Sequence, residues 1–277
     1  MKRFTASELR RLYRPDENSS GEDNGQVAII GGSDLFHGAP ILSLKAASKI
    51  VDMVFFASPY EPAQDIAAYL KSELSSFIWV PWGEVDKYID KSDAVLVGPG
   101  FKRYAKEGKI ESDESYKETR EITKELLKKH KSKKWVIDAG SLQTMDADWI
   151  PETAILTPNK KEYRMLFGSL DPKTVAEKHN CIIVLKGPVS YVYSSEESIE
   201  IHGGNAGMTK GGTGDVMAGL TVALLAKNEP FFAACSAAYI VKAAGDELHK
   251  KQGVYFSADD LAEEISKTLF RLLSSRA

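Results

Sequence analysis

Short apolar runs recur along the chain at 27–30, 53–56, 77–80, 94–97, 135–137, 154–156 and 181–185. They are rich in β-branched, aromatic or other apolar residues and lack strict polar alternation. That pattern predicts strands buried on both faces of a parallel sheet. Helix-compatible segments lie between several of them, at 39–50, 63–71 and 115–130. Strands alternating with helices at this spacing predict βαβ units, hence an α/β fold with a central, mostly parallel sheet covered by helices on both faces.

Beyond residue 185 the pattern changes. Runs at 191–193 and 199–201, separated by Ser194-Ser195-Glu196-Glu197, predict a small hairpin at one edge of the sheet. Three helices are predicted after it, at 215–226, 231–249 and 258–273. The second is apolar around much of its circumference, which predicts a buried central helix. No Pro/Gly/Ser-rich linker and no internal repeat interrupts the chain, so residues 1–277 read as a single domain. The polar stretch 15–25 reads as a mobile loop ahead of the first long strand.

Composition narrows the function classes. The chain is 43% hydrophobic and 27% charged with a net charge of -3, which gives no electrostatic reason to expect nucleic acid as a partner. The lysines between 124 and 134 are preceded by Glu114, Glu118, Glu121 and Glu125, a mixture that reads as a solvated helix face. No run approaches the roughly 18 apolar residues of a membrane span. No secretory signal is recognisable, and Cys181 and Cys235 read as buried thiols, so the cytoplasm is the expected location.

The most informative segment is Gly203-Gly204-Asn205-Ala206-Gly207-Met208-Thr209-Lys210-Gly211-Gly212-Thr213-Gly214-Asp215, leading into a predicted helix. Its glycines leave backbone N–H groups uncovered, and the positive end of the helix dipole adds to them, making an anion site. It is not a Walker A loop, because no Lys-Ser or Lys-Thr follows the last glycine, and its spacing is not GxGxxG. Asp215 is expected to be kept ionised by the dipole and to accept a proton from a substrate hydroxyl, beside amides that hold a phosphoryl group. By position alone Asp215 could be a simple helix cap; the glycines ahead of it favour the chemical role.

Gly211-Gly212-Thr213-Gly214-Asp215 resembles the anion hole and catalytic base of the ribokinase-like superfamily. With Gly204-Asn205-Ala206-Gly207-Met208, it is similar to the ATP- or ADP-dependent NAD(P)H-hydrate dehydratases. Ile30-Gly31-Gly32-Ser33-Asp34-Leu35-Phe36-His37-Gly38-Ala39-Pro40, Val97-Gly98-Pro99-Gly100 and Leu185-Lys186-Gly187 also resemble that family, in order. The resemblance implies Asp215 as base, with Gly212, Thr213 and Gly214 as the anion hole. It implies a nucleotide along Lys186, Gly187, Pro188, Val189 and Ser190, reaching Gly214. It places the substrate, hydrated NAD(P)H, against Ala39, Gly100, Asn159 and Asp215. ATP or ADP as co-substrate, Mg²⁺, a homo-oligomer and a separate companion epimerase are further expectations of the same kind.

Two departures stand out. Asn159 occupies the position where the dehydratases usually carry histidine after Thr-Pro, and the residues before the first long strand lack their usual His-Lys pair. Asn159-x-x-Glu162 instead resembles the motif with which ribokinase-like kinases help hold metal and phosphates, making Glu162 the candidate Mg²⁺ residue. A small-molecule kinase acting on a hydroxylated metabolite or vitamin precursor is therefore the alternative enzyme. A nucleotide-sensing protein without turnover is the non-enzymatic one, but a pure binder has no need of the Asp215 carboxylate. Lys186 and Asp138 lie at predicted strand ends, where ligands bind in open α/β sheets. His37, Trp79 and Trp82 read as structural.

Overall fold

The structure is a computed structural model that describes residues 1–60, 74–103 and 114–274. It contains a ten-stranded sheet, from β1 (Lys2–Arg3) and β2 (Gln26–Ile30) through β3 (Met53–Ala57), β4 (Ile78–Val80) and β5 (Ala94–Val97). β6 (Lys134–Ile137), β7 (Ile155–Leu156), β8 (Ile182–Leu185), β9 (Ser190–Tyr193) and β10 (Ser198–Ile201) complete it. The order across the sheet is β1-β10-β9-β8-β7-β6-β5-β2-β3-β4. From β8 to β4 every neighbouring pair is parallel, while β8, β9 and β10 pair antiparallel.

All seven predicted parallel strands are present; the inner ones are apolar enough to be covered on both faces, while β4 at the edge leaves Ile78 exposed. Alternate residues of β2 show this: Val27 and Ile29 pack into one core, Ala28 and Ile30 into the other. The predicted hairpin is β9–β10, but it is not the outermost element. The two-residue β1 pairs parallel with β10 and covers its edge. A strand that short carries no periodicity of its own.

The described helices are α1 (Gly38–Ala47), α2 (Val85–Lys91), α3 (Glu114–Lys129), α4 (Ala139–Thr144), α5 (Lys160–Phe167), α6 (Pro172–His179), α7 (Thr213–Lys227), α8 (Pro230–Gln252) and α9 (Ala258–Ser274). The expected helix at 63–71 lies outside the described residues. One face of the sheet carries α1, α7, α8 and α9; the other carries α2 to α6. No described helix is long and apolar enough to cross a membrane.

Both α7 and α8 are largely enclosed, and α7 is buried without interruption from Val216 to Ala226. Its approach to α1 is backbone to backbone at Gly219, where a β-carbon would stand 2.3 Å from the Ser43 carbonyl oxygen. Gly219→Ala is therefore expected to cost about 2 kcal/mol or more through overpacking. A urea melt measures this; an unchanged midpoint would show that α1 shifts freely. The contact matters to the site, because the Ser43 hydroxyl donates to the Asp215 carbonyl at 2.8 Å.

Strand order also sets where a ligand can enter. β2 runs to β3 on one side and has β5 on the other, so the connections reverse between β2 and β5. In an open parallel sheet the crevice beyond the carboxyl ends at such a point is the natural ligand site. The loop leaving β5 carries Gly100, and the glycine-rich loop leaving β2 leads into α1, whose second residue is Ala39.

Candidate active site

Helix α7 supplies the centre. Gly212 occupies its N-cap with φ +94°, and a β-carbon there would meet Leu42 Cδ1 at 2.4 Å. Only glycine satisfies both the left-handed backbone and this close contact. The first four-residue bond of the helix start runs from Val216 N–H to the Gly212 carbonyl at 3.0 Å. The N–H groups of Gly214 and Asp215, one turn from the end, therefore have no helical carbonyl to bond. Amides without a helical acceptor at a helix start are the arrangement in which an anion can bind. The Thr213 hydroxyl is directed elsewhere: it donates to the Met208 and Lys210 carbonyls at 2.8 and 3.0 Å, closing the turn.

The carboxyl ends of β6, β7 and β8 bring a charged network to the same place. Lys186 Nζ donates to Asp138 Oδ1 at 3.0 Å, and the Thr157 hydroxyl donates to the same oxygen at 2.8 Å. The Asp138 side chain is 2% exposed and that of Lys186 21%, so the carboxylate is out of water while the lysine keeps partial access to it. A β-carbon on Gly214 would lie 3.3 Å from Lys186 Nζ, which places the ammonium over the first turn of α7. Burial alone pulls the lysine down, but the carboxylates of Asp138, Glu162 and Asp215 outweigh it and hold Lys186 above the usual lysine range.

Asp215 departs from the expectation that the dipole keeps it ionised. Burial is the largest influence and, with the Asp138 carboxylate, pushes its carboxyl up to about 7. Lys186 and Arg103 oppose the rise, and Glu162 adds to it. Desolvation outweighs the dipole here, and the facing carboxylates of Asp138 and Glu162 add to it. An acid near neutrality is a better proton acceptor than an ordinary aspartate.

The loop that leads into α1, whose second residue is Ala39, meets the loop with Gly100 through Gly32 N–H donating to the Pro99 carbonyl at 2.9 Å. Lys186 N–H donates to the Pro158 carbonyl at 2.9 Å, so the strap of residues 186–190 begins beside Asn159. Asn159 is the N-cap of α5: its Oδ1 accepts from Lys161 and Glu162 N–H at 2.8 and 2.9 Å. Glu162 returns the bond, accepting from Asn159 N–H at 2.8 Å, and its other oxygen accepts from Gln143 at 3.1 Å. This capping box accounts for the Asn159-x-x-Glu162 spacing without a kinase. His37 contacts the Ser33 carbonyl at 3.0 Å, as a structural residue does.

Sequence reading missed Lys242, which α8 buries against the strap. The available signal was its charge, the only one between Phe231 and Ala244. It also left Asp138 undecided, because its partner Lys186 is 48 positions away.

A family model described as NAD(P)H-hydrate dehydratase matches residues 27–267. The chain belongs to the NAD(P)H-hydrate dehydratase family. It is 36% identical to a bifunctional NAD(P)H-hydrate repair enzyme of Methanocaldococcus jannaschii, over 95% of this chain and 51% of that protein. It is 29% identical to an ADP-dependent (S)-NAD(P)H-hydrate dehydratase of Cenarchaeum symbiosum, over 90% of each. The chain thus spans about half the length of the bifunctional relatives that it matches. In fold it resembles the ADP/ATP-dependent NAD(P)H-hydrate dehydratase from Bacillus subtilis co-crystallized with ATP/Mg²⁺, with a TM-score of 0.79 at 20% identity, covering 98% of each chain. The ribokinase-like architecture is therefore that of the family.

Proposed function

We propose that this protein removes water from hydrated NADH or NADPH at the expense of ADP or ATP, a repair lyase of nicotinamide nucleotides. The observation that carries the reading is one juxtaposition. The Asp215 carboxyl and the amides at the start of α7 that lack a helical acceptor share that turn with the Lys186 ammonium, which would lie 3.3 Å from a β-carbon on Gly214. A base, an anion hole and a cation are what a hydroxyl needs to attack a terminal phosphoryl group.

In this scheme Asp215 takes the proton of the ring hydroxyl as its oxygen bonds to the terminal phosphorus. The bond to the departing nucleotide breaks, giving AMP from ADP or ADP from ATP. The anion hole of Gly212, Thr213 and Gly214, with the Asp215 amide beside it, holds the charge that develops on the phosphoryl oxygens. Loss of inorganic phosphate and a ring proton then restores the dihydropyridine double bond. Hydroxide is a poor leaving group and phosphate a good one, which is why a nucleotide is consumed. The strap from Lys186 to Ser190 is the proposed nucleotide seat. The proposal keeps a cytoplasmic location, in keeping with two buried free thiols.

Mg²⁺ fits this site only as a partner of the nucleotide. Among the described residues no group of three or more His, Cys, Asp or Glu side chains is arranged to hold a metal, and both Glu162 oxygens already accept hydrogen bonds. Glu162 would face the ion through water, and phosphate oxygens would supply the direct ligands. The ion, when bound, neutralises phosphate charge.

The test is recovery of dihydronicotinamide absorbance when hydrated NADH is mixed with ADP or ATP. Phosphorylation of a vitamin precursor without such recovery would replace this reading by the kinase. The pH dependence is specific: Asp215 must be unprotonated to act, so kcat/KM should climb as pH rises through about 7. A flat profile between about pH 6 and 8 would remove Asp215 as the base.

A further inference from the structure

Lys242 lies in the middle of α8 and is 7% exposed. A buried ammonium is costly unless its protons are bonded, and this one donates to three backbone carbonyls. They are Gly187 at 3.1 Å, Pro188 at 2.8 Å and Gly203 at 2.9 Å. The first two open the turn before β9, and the third follows β10 directly. The lysine therefore ties both roots of the hairpin to one point on the central helix. Burial pulls it below the usual lysine range, with Asp246 partly opposing.

One turn further along the same face, Asp246 accepts from Gly204 N–H at 2.9 Å and from the Asn205 side chain at 3.3 Å. Asn205 also donates to the Gly245 carbonyl at 2.9 Å, and its own oxygen accepts from Gly207 N–H at 3.0 Å. A single face of α8 thus fixes the path from β10 into the glycine-rich turn. Lys242 joins that path to the Gly187–Pro188 turn, whose neighbour Lys186 reaches over Gly214.

We propose that Lys242 is a positioning residue for the nucleotide, locking the strap at Gly187 and Pro188 in register with the glycine-rich turn so that both engage one ligand. The inference rests on the reading of that strap as the nucleotide seat. An apolar residue here removes the cost of a buried ammonium but leaves three carbonyls without this donor, so a change in stability alone does not test the role. What an apolar residue cannot do is hold three carbonyls of two separate segments at one point.

The experiment is calorimetric titration of ADP and of ATP into wild type, Lys242→Met and Lys242→Arg, beside steady-state kinetics. Lys242→Met is expected to weaken nucleotide binding about tenfold or more and raise nucleotide KM in step, with kcat at saturation changed less than about threefold. The KM for the hydrate should stay near wild type. Lys242→Arg, which keeps the charge and several donors, should recover part of the affinity; it carries the test if the methionine variant does not fold. Nucleotide dissociation constants within about twofold of wild type in the folded variants, whatever happens to melting temperature, would overturn the inference. Wild-type protein that binds neither nucleotide would overturn the assignment of the strap itself, and this inference with it.

Discussion

Asp215→Asn is expected to lower turnover by about 10³-fold while leaving ADP and ATP affinity within a few-fold of wild type. The amide keeps the size and hydrogen-bonding reach of the carboxyl, so the anion site at the start of α7 is undisturbed, but it cannot take the proton. The same change should stabilise the protein. A carboxyl whose value is raised from 3.8 to about 7 in the folded state binds more protons there than in the unfolded chain between those pH values. Stability therefore falls as pH rises through this window, and above it the full cost of the charged Asp215 is present. Removing that cost is worth roughly 1–3 kcal/mol at pH 8, less than the full shift because Asp215 is only part-buried. Single-turnover kinetics and urea melts at two pH values check both halves. Near-normal turnover would take Asp215 out of the chemistry, and a loss of stability at pH 8 would contradict the account of its environment.

Lys186→Met carries the second large effect, with the opposite sign for stability. It leaves the Asp138 carboxylate buried without its ion partner, and breaking such a pair typically costs about 3 kcal/mol or more. Thr157 still donates to Asp138, which moderates the loss but cannot supply a charge. Asp215 loses a cation that holds its value down, so the acidic limb of the pH–rate profile should move upward in whatever activity survives. The paired variant Asp138→Asn with Lys186→Met should be more stable than the sum of the single losses predicts. Strict additivity of the two, measured by denaturant melts, would show that they are not coupled.

The sheet was readable because doubly buried strands need continuous apolar residues. β2, β3, β5, β6 and β8 announce themselves without any tertiary information. The short helices α2, α4 and α6 were not distinguished, since seven, six and eight residues hold few helical repeats to read. Nor was β1, whose only reason to be a strand is β10, almost two hundred positions along the chain. Asn159 and Glu162 were readable twice over, as a capping box and as a kinase-like motif; the mutual hydrogen bonds show the first at work.

By itself the sequence determined the fold class, the glycine turn ahead of α7 and Asp215 as its carboxylate, since local backbone freedom and apolar patterning are properties of consecutive residues. Only the tertiary structure decided the electrostatics. The order β6-β7-β8 brings Asp138 beside Lys186, and the packing of α7 sets Lys186 over Gly214. The expected ionised Asp215 became an acid poised near neutrality because burial and neighbouring carboxylates depend on distances that no local pattern encodes. Lys242 belongs to the same class: a charge in an apolar helix is visible in the sequence, but its three carbonyl partners come from segments joined only by folding.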